Sequence, residues 1–449
     1  MDKNKMKQLC ISQREFAERR ASLVAQLPTN SVAIVPSATL QYRNSDVDSP
    51  FRQDSDFYYL SGFDEPDALM VLLKRESLVT YHLFCQPRDP EMEIWNGYRA
   101  GPEGAQTDYM VDKAFSINTL DEQLPVLLDG IESVYFCMGT RHKIESRIEQ
   151  CLQTMRKKRR QGMRAPTKLI ELSSLLHEMR LIKSTQEAQV MRAAGEISAQ
   201  AHIRAMQACR PGLMEYQLEA EIIYHFMQQG CRLPAYSSIV GGGNNGCVLH
   251  YVSNNSELKD GDLVLIDAGC ECDYYAGDIT RTFPVNGRFS DAQRALYELV
   301  LKAQLACLAE IKPGIPWEHT QDISVRVITE GLVELGILTG RPQDLIACGA
   351  YKAFYMHRLG HWLGMDVHDV GDYKVEGEWR LLEPGMVMTV EPGIYIAPDN
   401  ENVEPCWRGI GIRIEDDVLI THDGCEVLSA SVPKTVDAIE ALMATARNR

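Results

Sequence analysis

The sequence predicts an α/β domain followed by an α+β domain that is built from two related halves. Two observations support this fold class. In residues 1–176, short apolar strand-like runs alternate with helical stretches, whereas in residues 177–449 a pattern of two helices, a histidine and a strand-end carboxylate occurs twice. At 449 residues, the chain is long enough for two domains that each bury a sizeable core.

The first domain is predicted over residues 1–176. Its strand-like runs and its clearest helical pattern lie at Val32–Val35, Ala68–Leu73, Tyr81–Phe84 and Ile144–Met155. Five basic residues, 156–160, follow that helix. Because the chain carries a net charge of −16, this run is interpreted as a solvated helix end rather than as a nucleic-acid patch.

The second domain is predicted over residues 177–449, and helix signals organise it. Ser184-Thr-Gln-Glu187 is a capping box that predicts a helix start, and Arg210-Pro-Gly should end that helix. A further helix is expected over Glu215–Gln229. About 102 residues later the plan recurs, with helices expected over Asp291–Ile311 and His319–Leu335.

Each helix pair leads through a histidine, His250 or His361, to a strand that ends in a carboxylate. A repeat of roughly 100 residues is too long for a solenoid unit. We therefore expect two half-domains around a pseudo-two-fold axis, with antiparallel strands in the middle and helices outside.

Composition excludes several classes of function. An apolar content of 45% is ordinary for a globular protein, and the acidic balance argues against binding to nucleic acid or to an anionic membrane. No stretch approaches the ~20 apolar residues of a membrane span, and no secretory signal is visible. The 13 scattered cysteines fit reduced thiols, so a cytoplasmic protein is expected.

Two strand-end carboxylates, Asp267 and Glu391, lie in segments that resemble one another. Gly261-Asp-Leu-Val-Leu-Ile-Asp267-Ala-Gly and Gly385-Met-Val-Met-Thr-Val-Glu391-Pro-Gly share the same order of glycine, mostly apolar strand, acid and glycine. Burying a carboxylate is costly unless a cation meets it, which indicates two half-sites facing one ion cluster. The alternative is that turn amides satisfy each acid separately.

Each half supplies a second acid. Asp278 follows Asp267 across a predicted hairpin, and strand alternation places Arg413 and Glu415 on one face in the second half. Four inward carboxylates require cations to remain ionised in one cleft. Histidines available to join them are His250, His357, His361 and His368.

One histidine added to four carboxylates suits Mn²⁺, Co²⁺, Fe²⁺ or Zn²⁺, but not a structural zinc site, which would use thiolates. His357 and His361 have the spacing of a zincin helix. Arg358 stands where that motif requires a glutamate, so the zincin interpretation is rejected.

The chain resembles the bacterial aminopeptidase P family of pita-bread metallopeptidases over nearly its whole length. The motifs that carry the resemblance are Gly277-Asp-Ile-Thr-Arg-Thr-Phe, His361-Trp-Leu-Gly-Met-Asp-Val-His-Asp, Thr389-Val-Glu-Pro-Gly-Ile-Tyr, Gly409-Ile-Gly-Ile-Arg-Ile-Glu-Asp and, in the first domain, Phe51-Arg-Gln-Asp-Ser-Asp-Phe. The resemblance implies a pita-bread second domain that releases the N-terminal residue from peptides with proline at the second position. It implies two divalent metal ions, with Mn²⁺ as the first choice.

The resemblance also implies roles for individual residues. The expected metal ligands are Asp267, Asp278, His361, Glu391 and Glu415, with Asp267 and Glu415 bridging the two ions. A water held between the ions becomes the attacking hydroxide in two-metal hydrolases. Glu391 is expected to shuttle its proton, His250 and His368 to hydrogen-bond the substrate carbonyl and oxyanion, and Arg413 to hold the carboxylates. His357 and Tyr395 are expected to contact the substrate.

The first domain is expected, again by resemblance, to assemble a homotetramer and to narrow the cleft. Asp46, Trp95 and Arg160 would then approach the substrate, with exposed loop positions as the alternative for Asp46 and Arg160. Arg358 departs from the family, which usually has a small residue there. Two effects of Arg358 are open: its guanidinium either narrows the cleft or binds a peptide carboxylate.

Two other functions remain to be distinguished. A prolidase would cut Xaa-Pro dipeptides alone, which turnover of tripeptides excludes. A catalytically silent pita-bread module would act by binding, but such proteins lose metal ligands, and all five ligand types are retained in this sequence.

Overall fold

The computed structural model describes residues 10–76, 78–140, 142 and 144–447. The chain divides into two compact units, one formed by Ile11–Arg180 and the other by the residues from Leu181 onward together with Cys10. The boundary predicted between residues 176 and 177 falls inside the helix Ser173–Leu181. The predicted fold class, an α/β unit and an α+β unit, is confirmed.

The first unit is built on a six-stranded mixed sheet. The strands described in this unit are β1 (Ser31–Pro36), β2 (Tyr42–Asn44), β3 (Val47–Asp48), β4 (Leu69–Arg75), β5 (Leu78–Cys85), β6 (Lys113–Ser116), β7 (Ser133–Phe136) and β8 (Lys168–Glu171). The sheet order is β6-β5-β4-β1-β7-β8, and β2 pairs with β3 as a separate hairpin. Strand β1 runs antiparallel to β4 and parallel to β7.

Helices accompany this sheet at Gln13–Gln26, Ser55–Ser61, Pro90–Asn96, Gly101–Asp108, Leu120–Leu128, Ile144–Lys157 and Ser173–Leu181. The apolar face of Ile144–Lys157 packs into the core cluster of β1, β4 and β7. The basic residues 156–160 are exposed where that helix ends, as predicted.

The second unit contains twelve short strands. They are β9 (Ile239–Gly242), β10 (Leu263–Asp267), β11 (Glu271–Cys272), β12 (Tyr275–Ala276), β13 (Thr280–Pro284), β14 (Lys374–Val375), β15 (Glu378–Trp379), β16 (Val387–Val390), β17 (Gly393–Tyr395), β18 (Gly411–Arg413), β19 (Asp416–Ile420) and β20 (Cys425–Val427). Each half of the sequence repeat forms one three-stranded sheet, β13-β10-β9 in the first half and β16-β19-β20 in the second. Strands β17 and β18 form a separate pair.

The helices of the second unit are Thr185–Ala208, Glu215–Gln228, Asp291–Glu310, Trp317–Glu334, Pro342–Ala347 and Val436–Arg447. The capping box at Ser184 is present, and Ser290 caps the equivalent helix of the second half in the same way. The helices and the central strands share one buried apolar cluster. None of the helices in the described ranges has the length and apolarity of a bilayer span.

Strand pairing within each half, and one backbone hydrogen bond between the halves, lie beside the strand-end acids. Asp267 pairs with Thr280 at the end of β10, and Val390 pairs with Asp416 beside Glu391. The Glu415 amide donates to the Thr280 carbonyl oxygen at 3.0 Å. Acids from the two half-domains are therefore brought to one place by the same strand-end geometry.

Gly269 shows how closely the chain crosses itself there. A Cβ atom at this position would lie 1.6 Å from the Gly277 carbonyl oxygen. The glycine that follows Asp267 is therefore required by close backbone approach, at the point where the hairpin returns toward Asp278.

Candidate metal centre

Four carboxylates and four histidines line one cavity of about 950 Å³ in the second unit. They are Asp267, Asp278, Glu391, Glu415, His250, His357, His361 and His368. Asp267 is the last residue of β10 and Glu391 follows β16 directly, while Asp278 and Glu415 precede β13 and β19. The strand ends therefore point the acids of both halves into one space.

Asp267 and Asp278 are joined by a tyrosine. The Tyr236 hydroxyl lies 2.5 Å from Asp267 Oδ1 and 2.5 Å from Asp278 Oδ1. A phenol has one hydrogen, so it donates to one carboxylate at a time. The second short contact then requires a proton on a carboxyl group, which agrees with the raised pKa of Asp267 that burial causes.

Glu415 and Arg413 are held by Thr280. The Thr280 hydroxyl donates to Glu415 Oε2 at 2.6 Å and accepts from Arg413 Nε at 3.0 Å. Arg413 also donates to Asp267 Oδ2 at 2.7 Å and to the Tyr395 hydroxyl at 2.9 Å. One buried guanidinium thus fixes groups from both halves of the domain.

His361 presents Nε2 to the acids. Its Nε2 atom lies 3.4 Å from Asp278 Oδ2 and 3.6 Å from Glu391 Oε1, while Nδ1 lies 2.9 Å from the Trp362 carbonyl oxygen. A carbonyl accepts only from a protonated Nδ1, which leaves Nε2 as the atom available for a metal. Thr389 contacts both His361 and Glu391. Its hydroxyl accepts a hydrogen bond from the His361 amide at 3.0 Å and lies 3.3 Å from Glu391 Oε1.

Glu391 and Glu415 ionise with difficulty when no cation is bound. Burial raises the pKa of Glu391 to about 7, although His361 and Arg413 oppose the shift. Burial, together with the neighbouring acids, raises the pKa of Glu415 well above its usual range. Burial lowers the pKa of His361, but Asp278 and Glu391 outweigh it and raise the value to about 9. The metal-free cluster therefore favours the binding of additional positive charge.

The remaining histidines occupy the cavity wall. His357 Nε2 lies 2.9 Å from the Tyr395 hydroxyl, and its Nδ1 lies 3.8 Å from Glu391 Oε2. Burial and Arg413 lower the pKa of His357 to about 4, so this imidazole is neutral near pH 7. The His368 ring packs against His361 at a centroid distance of 4.4 Å, and His250 lines the cavity from an exposed turn.

These donors fit divalent metal ions. Ligand atoms of Asp278, His361 and Glu415 all lie within 4.8 Å of one another, close enough to share an ion. Oxygen donors with one imidazole, and no thiolate among the described lining residues, favour Mn²⁺ and similar ions over structural zinc. The raised carboxyl pKa values are the expected state of such ligands when the charge of the ions is lacking.

Three residues proposed from the sequence to approach the substrate belong to the first unit. Asp46 lies in the turn between β2 and β3, Trp95 in the helix Pro90–Asn96 and Arg160 in a short 3₁₀ turn. All three side chains are exposed, and Trp95 is 82% accessible. Their approach to a substrate stays a prediction.

Sequence reasoning missed several residues that organise the acids. Thr280 stands on the same strand face as Asp278, so its alternation with that acid was an available signal. Thr389 stands two positions before Glu391 and offered the same signal, whereas Tyr236 and Asp417 reach Asp267 and Asp278 through the tertiary fold. Asp417 accepts a hydrogen bond from the Asp278 amide at 3.0 Å.

Comparison with known proteins gives consistent results over both units. The family model of metallopeptidase family M24 matches residues 189–422, and that of the aminopeptidase P N-terminal domain matches residues 16–135. The Xaa-Pro aminopeptidase of Escherichia coli K12 is 49% identical over 440 residues, covering 98% of this chain and 99% of that protein. Human Xaa-Pro aminopeptidase 3 is 37% identical, covering 97% of this chain and 87% of that protein.

Solved structures agree with the sequence relatives. The structure of Pseudomonas aeruginosa aminopeptidase PepP superposes with a TM-score of 0.97 at 56% identity, covering 98% of this chain and 100% of that chain. Zinc-substituted E. coli aminopeptidase P in complex with product gives a TM-score of 0.96 at 49% identity, with the same coverage. The resemblance that the motifs indicated is confirmed.

Proposed function

Because the chain belongs to metallopeptidase family M24 and carries an aminopeptidase P N-terminal domain, we propose that it is a metal-dependent Xaa-Pro aminopeptidase. It releases the N-terminal residue from peptides whose second residue is proline. The observation that carries the proposal is the convergence of four strand-end carboxylates and His361 on one cavity. Relatives with this activity cover almost the whole chain.

The proposed ligands are Asp267, Asp278, His361, Glu391 and Glu415. Together these five side chains would hold two divalent ions, with Asp278, His361 and Glu415 close enough to share one of them. The ions, when bound, lower the pKa of water toward neutrality and polarise the scissile carbonyl. Mn²⁺ is the proposed metal, since hard oxygen donors dominate the set.

Glu391 is the proposed proton carrier. Its carboxylate lines the cavity with Oε1 3.6 Å from His361 Nε2, where it can accept a proton from a water in the cavity. The carboxylate holds the proton that water loses and passes it to the proline nitrogen, the leaving group. That nitrogen has no hydrogen in the substrate, so an N–H donor cannot be the recognition signal.

His250 and His368 are proposed to donate hydrogen bonds to the substrate carbonyl and to the oxyanion that forms from it. Arg413 holds Asp267 at 2.7 Å and Tyr395 at 2.9 Å, which keeps the carboxylate oriented during turnover. Neutral His357, bonded to Tyr395, contacts the substrate beside Glu391.

The first unit is proposed to assemble a homotetramer. Its short helix Pro90–Asn96 and the residues beyond it expose Ile94 at 82%, Trp95 at 82% and Tyr98 at 90%. Large apolar side chains exposed together are typical of a protein interface. In the tetramer, Asp46, Trp95 and Arg160 are proposed to approach the substrate of a neighbouring subunit.

The proposed compartment is the cytoplasm, and the scattered positions of the 13 cysteines along the chain support it. Sedimentation analysis at micromolar concentration tests the tetramer. A monomer there would contradict the assembly without affecting the proposed chemistry.

The activity is tested by assaying metal-stripped protein on Xaa-Pro dipeptides, tripeptides and longer peptides, with each divalent ion added back. We expect cleavage of tripeptides and longer peptides, restored best by Mn²⁺, and none of matched peptides with alanine in the second position. Cleavage of dipeptides alone would instead identify a prolidase. Unchanged cleavage after metal removal would refute the proposal.

A further inference from the structure

Arg358 lies beside aromatic side chains on one wall of the cavity. Trp317 packs against Tyr373 with ring centroids 4.8 Å apart, and Trp379 lines the same cavity. The Arg358 guanidinium lies over the Trp379 ring at 5.1 Å and forms an ion pair with Glu318. Both contacts hold the side chain in place, which reduces the entropy lost when a ligand binds it.

The charge of Arg358 is available to a ligand. Of the described residues that line the cavity, Arg358 and Arg413 carry guanidinium groups and no lysine is among them. Arg413 is 4% exposed and already donates to Asp267, Tyr395 and Thr280, whereas the Arg358 side chain is 51% exposed. A guanidinium has five N–H donors, so pairing with Glu318 leaves donors for a second carboxylate.

The position of Arg358 suits a substrate group beyond the scissile bond. His357 Nδ1 lies 3.8 Å from Glu391 Oε2, and Arg358, the next residue, lines the same cavity with its guanidinium over the Trp379 ring. An extended peptide advances roughly 3.5 Å per residue, so the terminal carboxylate of a tripeptide lies roughly 7 Å beyond the scissile carbonyl. A dipeptide carboxylate lies only about half as far and stays next to the acids.

We propose that Arg358 is a specificity-determining residue that binds a carboxylate two residues beyond the scissile bond. This inference rests on the proposed aminopeptidase activity. The carboxylate has two sources, the C-terminus of a tripeptide or an aspartate or glutamate side chain at the third position. Binding there favours short free-acid peptides over their amides.

The test compares Ala-Pro-Ala as free acid and as C-terminal amide, with Ala-Pro-Asp amide and Ala-Pro-Asn amide to represent the side-chain source. The manganese-loaded protein is compared with Arg358→Gln, Arg358→Lys and a matched control, Arg341→Gln. Arg341 is likewise paired with an acid, Asp344 at 2.8 Å, but does not line the cavity.

We expect KM for the free acid to be roughly threefold to tenfold below KM for the amide, with similar kcat. Arg358→Gln should remove this difference by raising KM for the acid alone, Arg358→Lys should restore part of it, and Arg341→Gln should behave as the unchanged protein. High salt should reduce the preference. If the unchanged protein prefers Ala-Pro-Asp amide to Ala-Pro-Asn amide, and Arg358→Gln abolishes this preference, then Arg358 also binds a carboxylate side chain at the third position.

Three results would overturn the inference. The unchanged protein could show no preference for the free acid over the amide, Arg358→Gln could keep that preference, or Arg358→Gln could change KM for the acid and the amide equally. Cleavage of the amides shows that the proposed activity stands in each of these cases. Failure of the unchanged protein to cleave any Xaa-Pro peptide would instead refute the activity and the inference with it.

Discussion

Thr280→Val removes one hydroxyl that links two proposed functional groups while nearly preserving side-chain shape. Thr280 is fully buried, and its hydroxyl donates to Glu415 Oε2 at 2.6 Å and accepts from Arg413 Nε at 3.0 Å. In the valine variant, both partners lose a hydrogen bond while they remain almost fully buried, since Glu415 is 2% and Arg413 is 4% exposed. Neither can turn to solvent to recover the loss.

Leaving a buried polar group unsatisfied costs about 1–3 kcal/mol, and more for a charged group. Two such losses should lower the free energy of unfolding of the metal-free protein by about 2–6 kcal/mol. Glu415 is a proposed metal ligand, and loss of a group that orients a ligand typically weakens metal binding by about 10–100-fold.

Urea unfolding measures the stability, and calorimetric titration of metal-free protein with Mn²⁺ measures the affinity. Thr329→Val is the matched control, because Thr329 is also fully buried but its hydroxyl bonds the Val325 carbonyl oxygen within a helix, at 2.6 Å. The control should lose about 1 kcal/mol of stability and keep its metal affinity. Equal metal affinities for the two variants would refute the role assigned to Thr280.

Three further predictions address other parts of the chain. Glu391→Gln should lower kcat by about 10²–10⁴-fold in steady-state assays at saturating metal, because an amide cannot carry the proton. Gly269→Ala should lower the free energy of unfolding by at least about 3 kcal/mol in urea titrations, since its Cβ would overlap a carbonyl oxygen at 1.6 Å, whereas Gly424→Ala, with open space around it, should change little. Burial opposes the charge of Asp56, but Arg180 at 2.7 Å outweighs it and lowers the pKa to about 2 from 3.8. This pair therefore stabilises the fold above about pH 4 and is lost as pH falls through 2, so the stability difference from Asp56→Asn should shrink by about 2 kcal/mol between pH 5 and pH 2.

Repetition in the sequence made much of the second domain predictable. The helix after Ser184 begins where its capping box indicated, and the helix of the second half begins at Asp291 as predicted. Both end within about two residues of the predicted positions. The predicted helix start at His319 was two residues late, because Trp317 begins that helix without a side-chain cap. The repeated glycine-strand-acid pattern indicated that Asp267 and Glu391 would meet, since equivalent strand ends face one another across a pseudo-two-fold axis.

The supporting groups could not be predicted in the same way. Tyr236 lies 31 positions from Asp267 and precedes β9, and nothing in its local sequence distinguishes it from a core tyrosine. Asp417 is buried beside the cluster, although its neighbour Asp416 is bound instead by Arg281 and Lys434. Strand alternation separates these two acids, but only the tertiary fold shows what each one meets.

The proposed chemistry depends on two cations held by Asp267, Asp278, His361, Glu391 and Glu415. Anomalous diffraction from manganese-soaked crystals, recorded on both sides of the manganese edge, tests this directly. We expect two peaks within coordination distance of these five side chains, and the loss of at least one peak in His361→Ala. A map without a peak between these side chains, from crystals of a protein that cleaves Xaa-Pro peptides, would contradict the account.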